Sequence, residues 1–446
     1  MPAPGCARLR HVANSQNVIC NAPLQRSQKE RVAMRKVVRA IRSGIAILAA
    51  SACGDPATRA EPVEVKDSAG VRIVVNGAPV SPSAWTAELE PTLEIGADET
   101  DTTQILFQVT GALVLSDDRI VVSLGTTPML RWFDATGRFL NGTGRPGGGP
   151  GEFGPDRAWI SDLWPLSGDS VATWEHNTRR MQVFDSNGRY ARAVVLDVPP
   201  DLPISAYPQI LGRLDNGFVS FVSPPSQLGP VGEVRRDSLR YVHYAADGTF
   251  TRELARLPGF TYFAMRWRLP DGRETKTEGR PPYARLPVAW ASGSTFYYGS
   301  NDRYEVTLYD TAGDLKLLIR KPTPNRPVTP EAIQTYKDDA MARAPDDPST
   351  RRQWEESINE APYPDSLPAY RRLRADRDGM IWIQDYDLPG ADTTAWSVFD
   401  ATGRWVSELA LPADWQIMDI GASYILVLVR DDLGVERVRR HHLSRR

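Results

Sequence analysis

One phrase recurs along this chain and limits what it can fold into: an aromatic or apolar residue, an Asp, two small residues, a Gly, then an alternating apolar run. It reads FDATGRFL at 133–140, VFDSNGRYARAV at 183–194, YAADGTFTREL at 244–254, LYDTAGDLKLLI at 308–319 and VFDATGRWVSEL at 398–409, with a weaker copy, VKDSAGVRIVV, at 65–75. The Asp and Gly close a tight reversal, because Gly accepts the positive φ that hairpin turns require. Apolar alternation on both sides marks a half-buried strand before and after each turn. A second set of hairpins interleaves with the first, at 111–124, 159–174, 210–222, 288–299, 370–384 and 418–429. Two hairpins per unit make four strands per unit. The chain is therefore expected to be all-β, a six-bladed β-propeller of four-stranded blades.

The same pattern predicts how the ring closes. The last unit has its first hairpin at 418–429 and a third strand in GVERVRRHHL at 434–443, but no Asp-Gly hairpin follows. The expectation is that Val71–Val75, from the copy at 65–75, becomes the outer strand of the last blade beside Val435–Leu443, which removes a free edge. Two intervals interrupt the repeat, at about 257–286 and 321–368. In the second, Thr329-Pro330-Glu331 supplies an N-cap, an N1 proline and an acidic first turn, and Asp347-Pro348 supplies another start. Ile333, Tyr336 and Met341 fall near one face, and Trp354 and Ile358 stand four apart before Pro362. This predicts two short helices inserted between blades four and five, their apolar stripe packed on the propeller.

The propeller is expected to occupy 63–446. Residues 34–53, MRKVVRAIRSGIAILAASAC, have the basic start, short apolar run and small residues of a secretory signal. The segment resembles a bacterial lipoprotein signal, which implies that Cys53, after Ala50-Ser51-Ala52, carries the lipid. Residues 1–52 then hold an upstream segment plus the signal, with Met34 a candidate start, and 53–62 form a tether. The expected location is outside the cytoplasm, at the cell envelope. No apolar run reaches the ~20 residues a spanning helix needs, so the membrane is met only through the lipid. Residues 1–52 hold nine Lys/Arg and one Asp/Glu; the remainder has 44 basic against 54 acidic residues, a net charge of −10. Nucleic acid is thereby excluded as the main partner. Beyond Cys53 no cysteine occurs, which rules out a disulfide framework and a Cys-based zinc site in the folded part. A monomer is expected.

Gly142, Gly144 and Gly147 satisfy G-x-G-x-x-G within FDATGRFLNGTGRPGGGPGEF, 133–153. A dinucleotide fingerprint needs a helix to open at the last Gly. Here Gly148-Gly149-Pro150-Gly151 follows, which cannot start one. The stretch resembles instead the repeat of NHL-type six-bladed propellers, in which an Asp-x-x-Gly hairpin leads to G-x-x-G-x-x-x-G-E-F; bacterial exported propellers are similar. That resemblance implies a structural motif of Asp134, Gly137, Gly144, Gly151, Glu152 and Phe153, with Glu152 and Phe153 locking adjacent blades.

Links from an outer strand to the next inner strand share one face with the second-to-third-strand loops, so both large insertions lie there. Loops on a rigid scaffold are where binding groups concentrate. The candidate binding face takes in His176, Asn177, Asn301, Arg303, Asp385 and Arg372. Arg372, Arg374, Asp162 and Asp419 fall on inner strands, either pointing into the channel or paired with neighbours. No catalytic motif is present: no H-E-x-x-H, no thiol beyond Cys53, no G-x-S-x-G in a strand-turn-helix setting. The leading expectation is a ligand-binding or protein-interaction module, with an unidentified protein, peptide or carbohydrate ligand and no cofactor. The alternatives are a calcium-dependent hydrolase or lactonase using channel carboxylates, and a scaffold whose helices dock a partner.

Overall fold

The computed structural model describes residues 63–98, 100–125, 129–154, 159–176, 178–202, 208–224, 228–268 and 272–445. The signal, Cys53, the tether and Asn177 lie outside them. The chain opens with β1 (Val63–Ser68), β2 (Val71–Asn76) and β3 (Trp85–Ile95). Antiparallel meanders follow: β4 to β7 (Val109–Val114, Ile120–Leu124, Met129–Phe133, Phe139–Thr143) and β8 to β11 (Ile160–Pro165, Val171–Glu175, Arg180–Phe184, Tyr190–Val195). Next come β12 to β16 (Gln209–Leu214, Gly217–Val222, Val234–Ala245, Phe250–Arg268, Glu274–Gly279) and β17 to β20 (Val288–Ser292, Thr295–Gly299, Glu305–Tyr309, Leu315–Arg320). Helices α1 (Pro330–Ala342) and α2 (Pro348–Glu360) precede β21 to β24 (Tyr370–Ala375, Ile381–Asp385, Thr393–Phe399, Trp405–Pro412) and β25 to β27 (Gln416–Ile420, Tyr424–Arg430, Glu436–Arg445).

These strands build an all-β propeller carrying two helices. Four sheets have four strands each: β4–β7, β8–β11, β21–β24, and β25-β26-β27-β3. The fifth has eleven, in the order β1-β2-β20-β19-β18-β17-β12-β13-β14-β15-β16. Within it, β12 and β17 touch through one parallel pair, Gly212 with Ala291. Apolar faces of neighbouring sheets pack together, as where Leu113, Val121 and Trp132 of one sheet meet Ile160, Val171 and Phe184 of the next.

The recurring turn owes its Gly to packing as well as to φ. Gly137 has φ 84, and a Cβ there would lie 3.3 Å from Glu94 O and 3.5 Å from Leu93 and Ile95 on β3. In the same way Gly188 abuts β7, Gly248 abuts β11, Gly313 abuts Leu254 of β15, and Gly403 abuts Leu317 and Ile319 of β20. Each turn thus seats on the fourth strand of the neighbouring four-strand unit, which explains why the phrase repeats.

Closure uses a different strand from the one expected. Val71–Val75 does not pair with Val435–Leu443: β2 runs parallel to β20, with Val74 opposite Ile319. The partner of β27 is β3, with Val438 opposite Ile95 and Arg445 opposite Trp85. The reason is covalent. A third-to-fourth-strand turn is needed only where those two strands follow one another in the chain, and in the last sheet the fourth strand arrives from the other end of the chain. A search for the missing turn therefore finds the wrong strand.

The N-terminal segment laces three sheets on its way. Buried Asn76 donates to Gly403 O (2.9 Å) and Arg320 O (3.4 Å) and accepts from Trp405 N (2.8 Å). Val80 and Ser81 N–H donate to Trp405 and Val406 carbonyls at 2.9 and 3.0 Å, along the outer edge of β24. Trp85 then stacks edge-on to Trp382 (5.5 Å) and under Arg445 (4.5 Å).

The first interrupted interval is largely strand, since β15 runs on to Arg268 and β16 returns beside it. In the second, Thr329 Oγ1 accepts Ala332 N–H (3.2 Å) and Asp347 Oδ2 accepts Thr350 N–H (2.8 Å), capping α1 and α2. Four tyrosines seat this insertion: Tyr336 and Tyr363 pack at 5.6 and 6.4 Å on Tyr283, which meets Tyr386 at 6.2 Å.

Candidate functional site

Antiparallel meanders divide the connections between two faces. One bears the turns between first and second and between third and fourth strands; the other bears the remaining loops and both insertions. The two differ in what they expose. Ile105, Phe107, Leu228, Val231, Val234, Trp354 and Leu433 are exposed on the insertion face, whereas the other exposed large apolar side chains, Val65, Val80, Leu89, Leu140 and Val195, lie scattered on outer strands and the N-terminal link. Three of the seven converge: Leu106 bridges to Glu436, which brings Ile105 and Phe107 beside the loop whose tip is Leu433, 87% exposed.

The glycine-rich link crosses this face without a helix. Phe153 N–H donates to Arg145 O (2.9 Å), and Gly147 N–H to Phe153 O (3.2 Å), so the segment folds back on itself. Gly144 has φ 106, and a Cβ there would sit 2.5 Å from the Phe153 ring. Gly151 also takes a positive φ, 74. Phe153 is fully buried among side chains of the first two meanders. Glu152 accepts Gly149 N–H (2.8 Å) and Arg145 Nε (2.7 Å), contacts that hold its carboxyl below the usual range, while its carbonyl accepts from Arg180 and Gln182 of β10. On the opposite face, Asp134 Oδ1 accepts N–H groups of Thr136 and Arg138 (2.9 and 3.0 Å).

Along the axis, inner strands bulge at a shared level. Register shifts fall between Val109 and Gly111, Ser161 and Leu163, Ile210 and Gly212, Tyr370 and Arg372, and Ile417 and Asp419. Such bulges re-aim single side chains. Asp162, at one of them, takes φ 37, a conformation costly for a non-glycine residue. Burial pushes its carboxyl up, an effect Arg374 opposes; burial lowers the Arg374 guanidinium, which Asp162 and Asp419 oppose. Arg374 lies 4.8 Å over the Trp290 ring and donates to Met418 O (3.0 Å). Asp419 accepts Val114 N–H (3.0 Å) and Tyr424 O–H (2.9 Å) and pairs with Arg377 (2.5 Å). Both channel carboxylates thus face a guanidinium, and among the described residues no three His, Cys, Asp or Glu side chains group so as to hold a metal ion.

The six residues read as a binding face have different fates. Asn301 is buried, with φ 50, accepting Leu286 N–H (3.0 Å) and donating to Tyr370 O (3.2 Å), so it ties loops together inside the protein. Arg303 is exposed and pairs with Glu305 (3.1 Å). Asp385 is raised by burial and opposed by Lys321 at 3.8 Å, whose ammonium sits 4.2 Å over Trp405 and 4.6 Å over Tyr304. His176 packs edge-on to Trp174 (6.4 Å), and burial pushes its pKa down to about 4. Arg372 is half-buried on β21, and Asn177 lies outside the described residues.

Sequence reasoning missed a cationic cluster near Asp385. Asp302 is shared by Arg236 Nη1 (2.6 Å) and Arg285 Nε (3.5 Å). Arg285 also donates to Ser366 Oγ (2.8 Å), next to Leu367, whose N–H bonds Arg326 O (2.8 Å). Arg326 donates to Tyr386 O, and Tyr386 N–H reaches Ala369 O (3.4 Å), two residues before Arg371. The Tyr386 phenol, pushed up to about 12 by burial, lies in the field of Arg371, Arg285 and Arg326. The only signal available was the density of Arg in YRRLRADR, 370–377.

No protein-family model matches the chain, and neither does any curated protein. Solved structures similar to it include a protein from Bacteroides fragilis described as exported, 9% identical, covering 84% of this chain and 99% of that one with a TM-score of 0.43. A member of the DUF4221 family from Bacteroides vulgatus is 10% identical over 82% and 100%, with a TM-score of 0.44. The calcium-binding protein regucalcin from Agrobacterium tumefaciens is 12% identical over 77% and 93%, with a TM-score of 0.35.

Proposed function

We propose that this chain is a lipid-anchored propeller of the bacterial cell envelope, exported and held by Cys53, that recognises a ligand or partner with its insertion face. The blade count assigned is six. Four blades are the four-stranded sheets, and the eleven-stranded sheet supplies two more, β12–β15 and β17–β20, with β16 and the β1–β2 hairpin added at outer edges. The Gly144–Phe153 link supports an NHL-type kinship.

The observation that carries recognition is the gathering of exposed apolar side chains on the insertion face, where Ile105 and Phe107 stand beside Leu433. Exposed apolar groups gathered on one surface mark interaction sites. The β1–β2 hairpin supports an anchor on the same side, because β2 is parallel to β20, so Val63 starts at the insertion-face end. A photo-activatable residue at Phe107 or Leu433 in the envelope is expected to cross-link to a discrete partner, and one at Thr136 or Thr402 is not. Equal cross-linking from both faces contradicts the reading. Radioactive palmitate should label the chain but not its Cys53→Ala variant.

A further inference from the structure

We propose that the channel mouth on the insertion face is an anion-binding site, with Arg371 and Arg326 contacting the ligand and Arg236 and Arg285 behind them, and that what it takes carries clustered carboxylate or phosphate groups. This deepens the recognition reading above and rests on it.

Four guanidinium groups reach this place from four separate elements: β14, the link before β17, the neck of the helical insertion, and the β21 bulge. Their tethering is unequal. Arg236 and Arg285 are half-buried and fixed, by Asp302, by the Gly259 and Ser300 carbonyls for Arg236, and by Ser366 for Arg285. One Arg285 nitrogen, Nη1, is nonetheless buried without an acceptor. Arg326 and Arg371 are exposed. Arg326 reaches only a carbonyl, and Arg371 donates no hydrogen bond among the described residues, although its charge acts on the Tyr386 phenol. A fold that merely needed charge neutrality here would pair them.

The carboxylates facing the cluster do not balance it. Asp302 is shared by two arginines, and Asp385 answers to Lys321. Asp387 is the remaining one, with Oδ2 buried and unpartnered. Lys321 is shared with Glu408 as well, at 3.6 Å, so four guanidinium groups and one ammonium meet four carboxylates, an excess of positive charge in a domain whose net charge beyond residue 52 is −10. A local positive field concentrates anions, and planar guanidinium forks match carboxylate and phosphate oxygens two at a time. A free acid and a lipid headgroup share that chemistry.

The test uses the full chain carrying Cys53→Ala, so that attached lipid does not contribute. Calorimetry with citrate and with inorganic pyrophosphate, and sedimentation with phosphatidylglycerol vesicles, supply the probes. Binding should weaken with added salt, fall about tenfold in Arg371→Ala, and recover only partly in Arg371→Lys, which keeps charge but loses the fork. Arg404→Ala, on the opposite face, should leave it unchanged. Binding of the small anions identifies a free acid as the source; vesicle binding alone, abolished by Arg371→Ala, identifies a headgroup. No binding of any probe, or binding indifferent to both Arg371→Ala and Arg326→Ala, overturns the site. Cross-linking at Phe107 would survive that failure, so the two readings fall separately.

Discussion

The two faces of this ring differ in how much irregular chain they carry. On the turn face, short Asp-x-x-Gly reversals satisfy their own N–H groups and seat a glycine on the neighbouring outer strand, as Gly137 does on β3. On the insertion face, the links between sheets are longer and the surface exposes Phe107 and Leu433, the latter on an Asp431–Gly434 reversal of the same short kind, while gathering arginines around Tyr386. A regular face holds the scaffold together, which frees the other to carry groups that contribute little to folding.

The sharpest way to break this comparison is Phe153, which belongs to the insertion face yet is buried like a core residue. Phe153→Ala should cost about 3–5 kcal/mol, the range for deleting a buried aromatic ring, read as a lowered denaturation midpoint. A change near zero would mean that the glycine-rich link does not lock its two sheets. Next in size is Asn76→Ala, which leaves the Trp405 N–H and two carbonyls without their buried partner; about 1–3 kcal/mol is expected. A smaller loss there would show that the N-terminal lacing follows closure and does not stabilise it.

His176 sharpens the contrast through pH. With its pKa pushed down to about 4 by burial, the unfolded chain takes a proton below about pH 6.5 that the folded chain refuses. The stability it contributes is full above that pH and is lost as pH falls toward 4. His176→Gln should flatten this part of the profile by on the order of 1–3 kcal/mol relative to the parent chain, followed by chemical denaturation across that window. The smallest effects belong to Phe107→Ser and Leu433→Ser, expected within about 0.5 kcal/mol of the parent in stability, while cross-linking from neighbouring insertion-face positions disappears.

What was legible in the sequence follows the same division. Strand pairs and turns announce themselves because alternation and the Asp-x-x-Gly phrase are local, and both helix starts were readable from Thr329-Pro330 and Asp347-Pro348 for the same reason. The closing strand was misplaced to Val71–Val75 because β3 enters its sheet without a turn and leaves no phrase to find. The cluster of Arg236, Arg285, Arg326 and Arg371 was invisible, since its members lie on four elements that only tertiary packing brings together. Asn301 looked like a binding residue because turns and binding loops select the same polar side chains; its burial against Tyr370 assigns it to the interior.

The most direct test exploits the absence of cysteine after Cys53. In the chain with Cys53 retained, single substitutions Leu433→Cys and Thr402→Cys would be labelled with a membrane-impermeant maleimide, first in the purified protein and then in envelopes opened to the reagent. Equal rates in the purified protein, with Leu433→Cys alone protected in the envelope, are the predicted result. Protection of Thr402→Cys instead, or of neither, would contradict the assignment of the insertion face as the working one.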